Sequence, residues 1–279
     1  MSYDHRHGGL MLLFLSLLAT AASPPPGGWP IPPQESTVAS VYDGDTITLT
    51  TGDKIRLRWV NTPELRPPEA YGIEAREAAE RFLSGKQVRL VLSGENPRDG
   101  YGRVLAGLDT DEGSLSLHLL ELGLGHVFVI PPDDTDISAM ITAQDRARAA
   151  GRGIWSTDRY QGTLHMTSFH ANAAGDDTEN VNGEYLRVAN VSDGPLNVDG
   201  YRIRNATGQE YIFPALTIPN GHTVEVHSGQ GQHQTSPGRQ LEIFLGSNVP
   251  IWDNNRDRAV IVDRFGAVID ARDHEVRSR

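Results

Sequence analysis

Helical periodicity stops near residue 150 of this 279-residue chain. Before that point, apolar residues recur at helical spacing over 72–83, 114–122 and 137–149, with short alternating runs between them. After Gly151-Arg152-Gly153-Ile154-Trp155-Ser156, and from about residue 164 onward, only short β-rich runs remain, divided by Gly, Pro, Asn and Asp. So abrupt a change of period is naturally read as two folding units of different architecture. The 38% hydrophobic content gives them enough apolar surface for their cores.

The first unit is expected over 37–157. Runs at 38–42, 46–51 and 54–60 read as strands separated by Asp-Gly and Gly-Asp turns, followed by strands at 87–92, 103–108 and 126–130. Within the third run, Ile55, Leu57 and Trp59 alternate with Arg56 and Arg58, which puts the apolar set in a core and Arg56 on the opposite face. Five strands with interspersed helices fit a small closed barrel of the oligonucleotide-binding type. The second unit, 158–279, reads as an all-β sandwich with strands at 184–191, 201–205, 223–227 and 259–263, and with Tyr201 and Trp252 as core anchors.

Ahead of both units, the apolar run from Leu10 to Leu18 ends in Ala19-Thr20-Ala21-Ala22. It is too short to span a bilayer and is expected to be a secretory signal peptide over 1–22. Residues 23–36 are proline-rich and read as an extended linker. The expected destination is secreted or periplasmic, with no stable membrane span after cleavage. The chain has no cysteine, so the exported folds must hold by packing alone.

The formal net charge is −11, which argues against broad, sequence-independent polyanion binding. Yet Lys54 and Lys86 are the only lysines of the first unit. Its other cations are arginines, suited to bidentate contact with a phosphate. Three short segments concentrate the chemistry: Asp43-Gly44-Asp45-Thr46, then Arg56 leading to Asn61-Thr62-Pro63-Glu64, then Tyr101-Gly102-Arg103. Phosphodiester hydrolysis needs a positioned water, compensation for charge on the phosphoryl oxygens and stabilisation of the leaving oxygen. Asp45 offers a hard carboxylate to a cation, Glu64 can accept a proton, and Arg56 and Arg103 can hold oxygens. Pro63 restricts Thr62 to extended geometry and so fixes where Glu64 emerges.

These segments, together with Tyr71-Gly72-Ile73-Glu74-Ala75, Arg98-Asp99-Gly100-Tyr101-Gly102-Arg103-Val104-Leu105-Ala106 and Gly151-Arg152-Gly153-Ile154-Trp155, resemble the thermonuclease-like domains typified by staphylococcal nuclease. The resemblance implies a calcium-dependent endonuclease acting on DNA and RNA and leaving 3′-phosphate products. By position it implies Asp45 as a calcium carboxylate, Thr62 as a ligand through its carbonyl, and Asp43 as a carboxylate behind the ligands. It implies Glu64 as general base and Arg56 and Arg103 as the phosphate-binding pair. Two departures stand out. Asn61 occupies a position where many relatives carry aspartate; its amide oxygen can ligate calcium but brings no charge, so a weaker site is expected. The tyrosines that staphylococcal nuclease places beside the nucleotide are absent from Gly123-Leu124-Gly125-His126-Val127-Phe128-Val129-Ile130, which leaves Phe128 and Tyr101 as the aromatic candidates. The alternative class is a non-catalytic nucleic-acid- or surface-binding protein that retains the nuclease fold.

Other polar features read as structural. The ten histidines show no paired ligand spacing, which argues against zinc. Asp253-Asn254-Asn255-Arg256-Asp257 opens like a calcium loop but has Arg258 where the glycine is required, and reads as a turn. The second unit, from Glu184-Tyr185-Leu186 through Ile251-Trp252 to Ile269, resembles a lamin-tail-type domain. That implies an immunoglobulin-like sandwich with no catalytic residue, acting as an accessory binding or tethering module. Its acidic balance offers no evident nucleic-acid patch.

Overall fold

The computed structural model describes residues 32–93, 97–236 and 238–276; the expected signal peptide and most of the proline-rich linker lie outside them. The chain enters β1 (Glu35–Val41) and turns through Asp43-Gly44-Asp45 into β2 (Thr46–Leu49) and β3 (Lys54–Leu57). In the first turn, the Tyr42 N–H donates to Thr46 O at 2.9 Å and the Asp45 N–H to Asp43 Oδ1 at 3.1 Å. Gly44 is needed there for space: a Cβ would lie 2.7 Å from Thr62 Cγ2 and 2.9 Å from Ala75 Cβ.

The expected continuous strand at 54–60 is broken. Trp59 adopts a left-handed φ of 65°, a costly conformation for a bulky residue. It is held by burial against Gly107, where a Cβ would come within 2.5 Å of Trp59 Cζ3, and by an Nε1–H bond to Asp133 Oδ2 at 2.8 Å. The chain is thereby diverted out of the barrel into β4 (Trp59–Asn61), which carries Asn61 toward the residues that follow it.

Helix α1 (Gly72–Leu83) comes next. It buries Ala75, Ala78, Ala79, Phe82 and Leu83, while Arg76–Glu80 and Arg81–Glu77 pairs occupy its solvated face. β5 (Gln87–Leu92) and β6 (Val104–Thr110) follow, then the short β7 (Gly113–Ser114), α2 (Leu115–Glu121), β8 (His126–Phe128) and α3 (Ser138–Ala149). Strand order is β3-β2-β1-β5-β6, and a parallel pairing of β3 with β6 closes the five strands into a mixed barrel. Ile47, Leu49, Ile55, Leu57, Val104 and Leu108 fill it, as the period-two reading requires. β4 pairs antiparallel with β8, Trp59 opposite Phe128 and Asn61 opposite His126.

The second unit is all β. It runs β9 (Leu164–His170), β10 (Tyr185–Asn190), β11 (Leu196–Asn197), β12 (Arg202–Arg204), β13 (Glu210–Ile212), β14 (Thr217–Ile218), β15 (Thr223–His227), β16 (Leu241–Phe244), β17 (Arg256–Val262) and β18 (Val268–Glu275). Two four-stranded sheets, β16-β15-β10-β9 and β13-β12-β17-β18, share one core that includes Tyr201 and Trp252. Trp252 meets Phe169 edge-on at 4.8 Å. The Asp253–Asp257 segment is a turn into β17, its carboxylates accepting backbone N–H groups of the turn itself.

The two units are packed against each other. The Val129 N–H donates to Gly221 O at 2.8 Å, and the Thr223 N–H and hydroxyl both donate to Val129 O at 3.1 Å, so the end of β8 is tied to the start of β15. Ala147, Ile154, Trp155 and Tyr160 form one apolar cluster with Ala189 and Val191 of the sandwich. Among the described residues, no helix is long and apolar enough to cross a membrane.

Candidate active site

Between the barrel and the β9–β10 edge of the sandwich lies a cleft of about 490 Å³. Asp43, Asp45, Arg56, Glu64, Tyr101, Arg103 and Phe128 all line it, so the three sequence segments converge on one cavity.

The turn between β1 and β2 places Asp45. Its Oδ2 accepts the Thr62 N–H at 2.8 Å, the Thr62 hydroxyl at 3.0 Å and Arg56 Nη1 at 3.3 Å. Arg56 leaves β3 on the face opposite the barrel core and is fixed by its own neighbours. Nη1 donates to Leu57 O and Val60 O at 2.7 and 3.0 Å, Nη2 donates to Asn61 Oδ1 at 2.7 Å, and the guanidinium lies 5.7 Å from the Phe128 ring centre. The diversion at Trp59 makes this possible, because it brings the Val60 carbonyl and the Asn61 amide back over Arg56. Asn61 and Thr62 are not among the lining residues: one is engaged by Arg56, the other by Asp45.

Glu64 emerges just after Pro63, and its backbone N–H is held by Glu69 Oε2 at 3.0 Å. Its carboxyl is pushed up to about 7, first by burial, then by repulsion from Asp45 and Asp43, with Arg56 opposing. Asp43 is raised to about 6, by burial and then by Asp45. Arg103 reaches the cleft from the loop before β6. Asp99 holds that loop, accepting the Tyr101 and Arg103 N–H groups on Oδ1 at 2.9 and 3.0 Å and Arg103 Nε on Oδ2 at 2.7 Å. The Tyr101 ring packs on the Arg103 guanidinium at 5.5 Å.

The arrangement joins a proton acceptor poised near neutrality to two oriented guanidinium groups. Among the described residues, no three His, Asp or Glu side chains are grouped so as to hold an ion by themselves. Asp43 and Asp45 are nonetheless hard oxygen donors close together in the cleft, where burial, and then mutual repulsion, raises the Asp43 and Glu64 carboxyls. That donor set fits a hard divalent cation whose remaining ligands are backbone oxygens and water.

Sequence reasoning missed several residues. Asp99 lay inside a quoted segment, but only the folded loop reveals that one carboxylate organises it. Glu69 has no periodic signal; it holds the Glu64 backbone with one oxygen and pairs with Arg159 and Arg272 through the other at 3.2 and 3.4 Å. The whole opposite wall, including Ser168, His170, Tyr185 and Arg187, comes from the second unit. Its strands alternate as any sandwich strand does, so their outer-face residues carried no mark.

Residues 54–157 match the staphylococcal nuclease homologue family, and residues 157–275 match the lamin tail domain. The thermonuclease of Staphylococcus intermedius is 32% identical over 125 residues, 42% of this chain and 74% of that protein. The thermonuclease of Staphylococcus hyicus is 31% identical over 130 residues, 44% of this chain and 76% of that protein. The SPbeta prophage-derived endonuclease YokF of Bacillus subtilis (strain 168) is 30% identical over 132 residues, but the match spans only 45% of its length. With the barrel, the converging segments and these matches in agreement, the chain belongs to the staphylococcal nuclease homologue family and carries a lamin tail domain after its nuclease-type barrel.

Proposed function

We propose that the protein is an exported, calcium-dependent endonuclease that hydrolyses phosphodiester bonds of DNA and RNA. The observation that carries this reading is the convergence of Glu64, Asp45, Arg56 and Arg103 on one cleft, where burial raises the Glu64 carboxyl above the usual carboxylate range. Glu64 takes a proton from a water whose oxygen attacks phosphorus. The bond to the 5′ oxygen breaks, and that oxygen leaves as a hydroxyl after protonation by water, with phosphate left on the 3′ side. Arg56 and Arg103 neutralise charge growing on the phosphoryl and leaving oxygens; their guanidinium planes are already fixed, so little reorganisation is needed. Asp45 and the Thr62 carbonyl would hold calcium, with Asn61 sharing its amide oxygen between the ion and Arg56 and Asp43 behind; the bound ion supplies further positive charge to the phosphate and to water. Export rests on the apolar run at 10–18.

The test is to incubate purified protein with plasmid and with RNA, in calcium or in chelator, beside Glu64→Gln and Arg103→Ala variants. Cleavage that requires calcium and both side chains is expected. Cleavage insensitive to chelator or to the variants would refute the site, and no cleavage at millimolar-order calcium would favour a non-catalytic binding protein.

A further inference from the structure

The sheet β16-β15-β10-β9 carries a row of four rings across its strands. In register, His170 opposes Tyr185, Tyr185 opposes His227 and His227 opposes Phe244. Laterally paired residues share a face, and Leu186, Val226 and Ile243, one position away, are buried in the sandwich core; the row therefore lies on the outer face. Neighbouring ring centres are 4.2 Å apart for His170 and Tyr185, 6.1 Å for Tyr185 and His227, and 4.9 Å for His227 and Phe244. The first and last pairs are stacked at 20° and 16°. Cross-strand pairing alone would explain rings side by side. It does not explain where the row leads: His170 and Tyr185 line the cleft that holds Glu64 and the two arginines, across from Tyr101.

We propose that the cleft end of this row, His170 and Tyr185, is a stacking surface for single-stranded nucleic acid, so that the second unit binds the substrate segment adjoining the scissile phosphate; His227 and Phe244, stacked on each other and covered at Gly231, only back it from behind. The proposal rests on reading the cleft as a nuclease site. A cleft of about 490 Å³ admits a nucleotide-sized segment rather than a duplex. A base entering it meets aromatic surface on both sides: Tyr101, 58% exposed, with Phe128 on the barrel, and His170 with Tyr185 opposite. The second wall grips through its rings rather than by charge. Its one arginine at the cleft, Arg187, is paired with Glu225, and Glu242 follows in the same register row. Phosphate is left to Arg56 and Arg103, and the bases go to a surface that accepts every base alike, because each has a π-face. Glu69 keeps the wall in register with the chemistry, since it pairs with Arg272 of the sandwich while holding the Glu64 backbone.

The experiment uses the full-length Glu64→Gln protein in calcium with a fluorescent single-stranded oligonucleotide, comparing it with Glu64→Gln/His170→Ala/Tyr185→Ala and with Glu64→Gln/His170→Phe/Tyr185→Phe. The alanine protein is expected to bind about tenfold or more weakly and the phenylalanine protein to regain most of the affinity. Equal affinity in all three overturns the proposal. Because alanine at both sites can also disturb folding, a second measurement leaves the wall intact: an oligonucleotide bearing 5-iodouracil is photo-crosslinked to Glu64→Gln. Crosslinks on β9 or β10 support the platform, and crosslinks confined to the barrel overturn it. If the wild type fails to cleave but the affinity loss and crosslinks are seen, the nuclease reading falls and the platform stands; calcium-dependent cleavage with equal affinities is the reverse.

Discussion

The barrel wall of the cleft crowds Asp43, Asp45 and Glu64 beside Arg56 and Arg103, whereas the sandwich wall opposite sets the rings of His170 and Tyr185 beside an arginine already paired with Glu225. The first wall is electrostatically strained: burial and mutual repulsion raise two of its carboxyls. The second carries little net charge, its rings stacked on one another and Arg187 paired with Glu225. Charge acts steeply with distance in a dry site and suits bond breaking, while stacking is tolerant of base identity and suits holding a chain. One cleft can thus separate chemistry from grip, and replacing residues on one wall should leave the other wall's property in place.

The largest test of that separation is Glu64→Gln. Removing a positioned base should lower the cleavage rate by about 10²- to 10⁴-fold, while oligonucleotide affinity measured by anisotropy stays within about threefold. A matching loss of affinity would mean that the walls are not separable. The same substitution removes a carboxyl that is costly to ionise in the fold. A group raised from 4.5 to about 7 favours the folded state below pH 4.5, and that advantage is lost as pH rises through 7. Calcium-free Glu64→Gln should therefore melt higher than wild type at pH 8, by an amount on the order of 1–3 kcal/mol, and the gap should shrink toward pH 5.

Separating the walls physically is the next test. Gly221 has a φ of 72° and a Cβ there would lie 2.5 Å from Val127 Cγ1, at the point where the Val129 N–H bonds to the Gly221 carbonyl. Gly221→Val should cost about 1–3 kcal/mol through strain and overpacking, read as a lower melting temperature. It should also raise KM for single strands more than it lowers kcat. A fall in kcat with KM unchanged would place the second unit in the chemistry.

A smaller change sharpens the barrel wall alone. Asn61→Asp adds a carboxylate where the amide oxygen now accepts from Arg56, so the calcium concentration for half-maximal cleavage should fall by about tenfold. Calorimetric titration checks it; an unchanged midpoint would remove Asn61 from the ion's surroundings.

The legibility of the two walls in the sequence differs for a physical reason. The barrel-side residues come from short segments whose residue types are chemically unusual together, so Asp45, Arg56, Glu64 and Arg103 could be named before any strand was placed. Even there, the break at Trp59 was hidden, because Ile55, Leu57 and Trp59 continue the alternation while only the packing of the indole over Gly107 forces the backbone left-handed. Tyr201 and Trp252 were read as core because large aromatics bury most apolar area. His170, Tyr185, His227 and Phe244 were not read as a row: they sit on four strands whose pairing depends on sheet order, and β15 and β16 pair in parallel, which no local turn signals. Nor did local sequence show that the end of β8 would bond to residues more than ninety positions later.

The seam that holds the walls together provides the mildest prediction, and its sign is opposite to that of the cleft carboxyls. His126 and His165 lie fully buried at the seam with ring centres 5.5 Å apart, and His165 Nδ1 is 3.3 Å from Asp270 Oδ2. Burial pushes His165 below the ordinary histidine range against the pull of Asp270, and it pushes His126 to about 3. The unfolded chain takes up protons as pH falls through 6.5, and the folded chain resists them. The stability is therefore complete above 6.5 and lost below it, at no more than about 1.4 kcal/mol per pH unit for each group. Glu64 works the other way between 4.5 and about 7 and Asp43 between 3.8 and about 6, so the wild-type melting temperature should change little from pH 7 to 5.5. Glu64→Gln, which removes one opposing group, should show the histidine slope more plainly, and adding His165→Gln should reduce it to the share of His126. A slope unchanged by His165→Gln would mean that the seam admits a proton without opening, and that the two walls are held by the Val129 bonds and the Glu69 pairs instead.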